Sequence, residues 1–130
     1  GLCSKKLDAA LGGTPKDDMQ AHHLIPQKVW RDEKDFFEKI GMSEDMDKKE
    51  NGLLMPDSAD KAKKMKRVFY HCGPHSKVYT PMVERMIGDI QDDLDKKEID
   101  EAGARARIAS MQNRLRAGLS VSGGRQRRVR

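Results

Sequence analysis

The sequence predicts a mostly helical α+β domain, and three observations predict it. Apolar residues recur at helical spacing from Val78 to Leu94, and again at Ile108, Met111 and Leu115. The apolar runs Ala21 to Ile25, Leu53 to Met55 and Val68 to Tyr70 are short and lie beside turn-forming residues, which suits two or three very short strands. The length of 130 residues is that of one ordinary domain.

Taken in order, residues 1–20 read as a partly irregular lead-in. A short helix from Ser4 to Leu11 stops at Gly12-Gly13, and Thr14-Pro15 opens a turn. The domain proper spans residues 20–119. Ala21 to Ile25 carries two histidines and is cut off by Pro26, a residue suited to a first helical position. Val29, Trp30, Phe36, Phe37 and Ile40 anchor the helical stretch that follows, and Gly41 suits the residue just beyond its end. Residues 43–50 are almost all charged and read as a loop. Asn51-Gly52 is a turn dipeptide leading into Leu53-Leu54-Met55 and Pro56, a short buried strand. Asp57 or Ser58 caps a short basic helix through about Arg67, and Val68-Phe69-Tyr70 leads into His71-Cys72-Gly73-Pro74-His75. A long helix is expected from His75 or Ser76 towards Ile99, with Val78, Met82, Val83, Met86, Ile87, Ile90 and Leu94 on its apolar side. Gly103 interrupts it or separates it from a last helix, Ala104 to Leu119. Residues 120–130 are rich in Gly, Ser and Arg and are expected to be a disordered basic tail.

Composition excludes several classes. No apolar run approaches the roughly 18 to 20 residues of a membrane span, and Cys3 and Cys72 alone build neither a disulfide framework nor a structural zinc site. The net charge of +5 is unevenly placed, with Arg125, Arg127, Arg128 and Arg130 in the tail. Lys61, Lys63, Lys64, Lys66 and Arg67 form a basic block; Asp89, Asp92, Asp93, Asp95, Glu98, Asp100 and Glu101 form an acidic one. Each reads as a solvated helix face, and the basic block equally as a surface for a polyanion. With three Phe, one Trp and two Tyr the core is small and would gain from a bound metal or a partner. The chain opens on Gly1 rather than Met, as a domain excised from a longer chain would.

The four histidines fall into two pairs, His22-His23 and His71 with His75. Neutral imidazole ligates zinc and other divalent metals. A site drawn from His22, His71 and His75 would leave one histidine over and one coordination position open, as catalytic metal sites do.

Ala21-His22-His23-Leu24-Ile25-Pro26, Asn51-Gly52-Leu53-Leu54-Met55-Pro56, His71-Cys72-Gly73-Pro74-His75 and Tyr79 together resemble the AHH branch of the HNH/endonuclease VII nucleases, over about residues 20–90. Such domains commonly end bacterial polymorphic toxins. The resemblance implies a ββα-metal (His-Me finger) core, with Pro26 to Glu50 as a helical insertion. It implies His22 as a metal ligand, His23 as the general base, His71 and His75 completing the site of one divalent ion, and Asn51 as an orienting residue. Zinc or magnesium is the expected ion, with nickel and manganese as alternatives. It implies DNA cut with little sequence preference, and Lys61, Lys63, Lys64, Lys66 and Arg67 gain weight as phosphate contacts. A cognate acidic immunity protein, the rest of a larger toxin chain, and secretion into a target-cell cytoplasm belong to the same expectation. Cys72 reads as a small buried thiol and Tyr79 as a core residue. The competing readings are a catalytically inactive nucleic-acid-binding module and a metal-stabilised structural module that keeps the finger.

The residue types suit phosphodiester hydrolysis. An imidazole with a pKa near 6.5 accepts a proton from water at neutral pH, and a divalent ion offsets charge on the leaving oxygen. Neighbouring residues of a strand point to opposite faces, so His22 and His23 can act separately.

Overall fold

A computed structural model describes residues 10–12, 19–56, 69–70, 79–120 and 127–128. The expected N-terminal helix, the basic helix through Arg67 and the loop from His71 to His75 lie wholly or mostly outside those residues. The architecture is mixed α+β, dominated by helices, with a small antiparallel pair of strands beside them.

Strand β1, Met19–His23, pairs antiparallel with β2, Gly52–Pro56, and the register sets His22 opposite Leu53 and His23 opposite Gly52. Two short helices intervene, α1 (Gln27–Asp32) and α2 (Lys34–Lys39). Pro26 keeps an extended backbone (φ −56°, ψ 149°) and its carbonyl accepts from the Trp30 N–H at 3.0 Å, so it caps α1 from outside rather than occupying its first turn. The chain bends at Glu33 (φ −103°, ψ 28°), which lets Trp30 and Phe37 stack with centroids 3.9 Å apart and ring planes 6° from parallel. Gly41 ends α2 as expected, at φ +79°: its N–H donates to the Glu38 carbonyl and that of Met42 to the Phe37 carbonyl. A 3-10 turn, Lys49–Asn51, then leads into β2.

The two long helices are α3 (Tyr79–Asp95) and α4 (Glu101–Leu119). In α3 the buried positions Tyr79, Val83, Ile87, Ile90 and Leu94 follow the helical repeat read from the sequence. The helix stops four residues before Ile99: Lys97 takes φ 60°, the Lys97 N–H donates to Leu94 and the Glu98 N–H to Asp93. Gly103, expected to break the helices apart, lies inside the first turn of α4. The Asp100 side chain caps that turn by accepting from the Gly103 N–H at 2.7 Å, and a Cβ at 103 would sit 3.2 Å from that same oxygen. The separation is thus made by the left-handed residue Lys97 and the cap Asp100.

Leu24, Ile25, Val29, Phe37, Ile40 and Met55 from the first half meet Val83, Ile87, Ala104, Ile108 and Met111 from the second in one buried cluster. The acidic block of α3 and its following turn faces solvent except where Asp93 meets Arg107 of α4 at 2.6 Å; that guanidinium holds the Asp93 carboxyl below its ordinary value. Arg127–Arg128, in the tail expected to be disordered, forms strand β4, parallel to β3 (Phe69–Tyr70). Composition speaks for side chains, whereas a two-residue ladder needs only backbone groups. Among the described residues no helix is long and apolar enough to cross a membrane.

Candidate active site

Strand β1 delivers two imidazoles to two different environments. Its pairing with β2 fixes the backbone, and the pleat sends consecutive side chains to opposite faces. His22 is fully buried and meets the ring of Tyr79 edge-on, with centroids 5.2 Å apart and planes at 66°. Tyr79, in the first turn of α3, donates its hydroxyl to the Leu24 carbonyl at 2.5 Å. Burial pushes its phenol above the ordinary value, so the group stays an O–H donor. The core role expected for Tyr79 is therefore a specific one: it fastens α3 to the residue that follows the double histidine.

His23 lies on the other face and is 3% exposed. Its Nε2 is 2.8 Å from Oδ1 of Asp47, on the loop before the 3-10 turn. The cross-strand neighbour of His23 is Gly52, which has no side chain to press against the ring. The Asp47 carboxylate meets the ring at its Nε2 edge.

Asn51 is fully buried, and its carboxamide is satisfied on all sides. Oδ1 accepts from the Ile25 N–H at 2.9 Å and from Gln112 Nε2 at 3.2 Å. Nδ2 donates to the carbonyls of Ile25 at 3.1 Å and Met46 at 2.9 Å. The Asn51 carbonyl also accepts from the Leu24 N–H at 2.8 Å. One residue thus joins the exit of β1, the loop that carries Asp47, and helix α4. The bonds to Leu24, Ile25 and Met46 satisfy backbone groups and the one to Gln112 a buried side-chain amide, and a polar group buried without a partner costs about 1 to 3 kcal/mol.

His22, His23 and Asn51 therefore lie together at one end of the β1–β2 pair. His71, His75, Cys72, Lys61, Lys63, Lys64, Lys66 and Arg67 lie outside the described residues. Among the described residues no three His, Cys, Asp or Glu side chains are grouped to hold a metal; His22 supplies one imidazole nitrogen, a donor type that suits divalent transition metals. Two contributors escaped the sequence reading. Asp47 sits among so many charges in residues 43–50 that nothing marks it out from Asp45, which pairs instead with Lys48 at 2.9 Å. Gln112 carried a readable signal: it falls on the buried stripe of Ile108, Met111 and Leu115, where a polar residue needs a partner.

No curated protein and no solved structure matches the chain. Residues 4–115 match the model of the AHH family, described as a nuclease family of the HNH/ENDO VII superfamily with a conserved AHH. That triplet is Ala21-His22-His23 here, and its two histidines are the ones that β1 sends to opposite faces. With most of its length matched, the chain belongs to this family and is a nuclease.

Proposed function

We propose that the chain is a metal-dependent DNA endonuclease of little sequence preference, serving as the toxin domain of a larger secreted antibacterial protein. The observation that carries the catalytic part is the divergence of the two histidines, one seated against Tyr79 and the other against Asp47. A structural metal site has no use for a second, separately held imidazole beside a ligand. His23 takes the proton of the attacking water as the water oxygen bonds to phosphorus and the bridging P–O bond breaks. His22, with His75 and His71, would hold one divalent ion (zinc or magnesium, nickel or manganese as alternatives), which when bound stabilises negative charge on the phosphate and leaving oxygens. Asn51 keeps β1 and the Asp47 loop in register with each other. Lys61, Lys63, Lys64, Lys66 and Arg67 contact phosphates, in keeping with the net charge of +5.

The toxin role rests on the resemblance of the AHHLIP, NGLLMP and HCGPH segments to polymorphic-toxin termini. A nuclease blind to sequence endangers its maker, so a tight acidic immunity protein is expected, with opposite charge speeding encounter, and the active form works in the target-cell cytoplasm. Purified chain is expected to nick supercoiled plasmid, to stop when a chelator is added, and to resume with divalent metal. Plasmid left intact under every one of the four metals overturns the endonuclease reading in favour of a binding module. Expression in a bacterial cytoplasm tests the toxin part: growth is expected to stop, and co-expression of the adjacent downstream gene to restore it. A domain tolerated at high level without that gene removes the toxin role and leaves the nuclease.

A further inference from the structure

We infer that Asp47 is the positioning residue of the general base, holding His23 as the Nε2–H tautomer so that Nδ1 is the nitrogen that takes the proton from water. The inference rests on the proposed role of His23. An ionised carboxylate only accepts hydrogen bonds, so at 2.8 Å the nitrogen facing Asp47 must carry the hydrogen. In a neutral imidazole the other nitrogen is then the acceptor.

Three features make this contact a built one. The His23 side chain is 4% exposed and that of Asp47 26%, so the pair lies at the rim of the site rather than in open solvent. Gly52, opposite His23 in the strand pair, leaves the ring without a cross-strand side chain, and Asp47 sets its angle. Asn51 then fixes the distance, because Nδ2 binds the Met46 carbonyl, next to Asp47, while the same carboxamide holds both backbone groups of Ile25, two residues beyond His23. Successive turns, Asp45 N–H to Met42 and Lys48 N–H to Asp45, shape the loop between these anchors. Among the acids of residues 43–50, Asp47 is the one set on a histidine; Asp45 is engaged by Lys48.

The test compares Asp47→Asn, Asp47→Ala and Asp47→Glu with wild type and His23→Ala. Plasmid-nicking kcat and KM, thermal unfolding, and the imidazole nitrogen signals of the ¹⁵N-labelled metal-free chain are measured for each. Wild type is expected to show His23 with a protonated Nε2 and a bare Nδ1 when the ring is neutral. Asp47→Asn, which keeps shape and folding, is expected to mix the two tautomers and lower kcat on the order of a hundredfold with KM little changed, as loss of an orienting carboxylate does. Asp47→Glu is expected to recover part of both. If His23→Ala is inactive while Asp47→Asn and Asp47→Ala keep wild-type kcat and ring signals, the positioning role is wrong and the general base stands. A kcat loss that only tracks loss of folded protein, with the tautomer unchanged, also overturns it. Wild-type nicking by His23→Ala removes the base itself, and this inference with it.

Discussion

The segment from Met19 to Pro56 and the helical pair from Tyr79 to Leu119 solve different problems by different means. In the first, the residues proposed for catalysis are held by hydrogen bonds to individual atoms: His23 to Asp47, and Asn51 to Ile25, Met46 and Gln112. In the second, Val83, Ile87, Ile108 and Met111 are held by burial alone, which has no direction and tolerates small shifts. Stability can be supplied by area, but a base that must meet one water molecule needs a fixed angle. The helical pair is therefore the foundation and the strand segment the instrument, with Gln112 and Tyr79 as the points where one grips the other.

The largest expected effect separates chemistry from stability. His23→Ala is expected to lower cleavage by about a hundredfold or more, the usual cost of removing a positioned base. The loss in unfolding free energy is expected to stay at about 2 kcal/mol: removal of the buried ring leaves a small cavity, while Asp47, whose side chain is 26% exposed, regains water when its partner goes. Plasmid cleavage and denaturant titration of one preparation check both numbers. Cleavage at the wild-type rate would dissolve the distinction between the two segments.

Asn51→Ala is expected to damage both properties. It leaves the Ile25 N–H and carbonyl and the Gln112 amide without their partner in a buried setting, and the Met46 carbonyl in a partly buried one, a loss on the order of 4 kcal/mol or more in total. Cleavage per folded molecule is expected to fall as well, since β1 and the Asp47 loop lose their common anchor. A variant that unfolds early yet cuts normally while folded would make Asn51 a stability residue only.

Ile87→Ala isolates the foundation. The side chain is fully buried, and its truncation is expected to cost about 3 kcal/mol through lost transfer energy and a residual cavity. Activity per folded molecule at low temperature is expected to remain that of wild type. A fall in that specific activity would show that core packing, not the polar brace, sets the geometry of β1.

The same contrast explains what could be read from the sequence. The apolar repeat of α3 and the strand Leu53-Leu54-Met55 were legible because burial leaves a periodic trace in residue type. The double histidine stood out because two rare, reactive side chains are adjacent. Asp47 was not legible, since a hydrogen bond spanning 24 residues leaves no pattern in a run of eight mostly charged ones. The place where α3 ends was missed for a related reason: Gly103 looked like the breaker, while the residue that adopts the left-handed turn is Lys97. Glycine permits that conformation but does not mark every place where it occurs.

The smallest effect compares the two segments at their helix ends. Both α2 and α3 finish with the same pair of hydrogen bonds: Gly41 to Glu38 and Met42 to Phe37 in the first, Lys97 to Leu94 and Glu98 to Asp93 in the second. The backbone is left-handed at both, φ +79° at Gly41 and +60° at Lys97, but only the first position carries glycine. A side chain in this region costs about 1 to 2 kcal/mol. Lys97 is solvent-exposed, so Lys97→Gly removes that strain and little else; set against the extra freedom glycine gives the unfolded chain, the gain is expected to be about 0.5 to 1 kcal/mol. Gly41→Ala is expected to lose about 1 kcal/mol for the mirror reason, and not through crowding, because the nearest atom to an added Cβ is the Arg105 guanidinium at 4.0 Å. Denaturant midpoints of the two variants read the difference directly, and nicking by Lys97→Gly is expected to match wild type. A gain in Lys97→Gly matched by a loss in Gly41→Ala would show that the two turns carry the same backbone strain, while a loss of stability in Lys97→Gly would mean that the Lys97 side chain contributes more than its backbone strain costs.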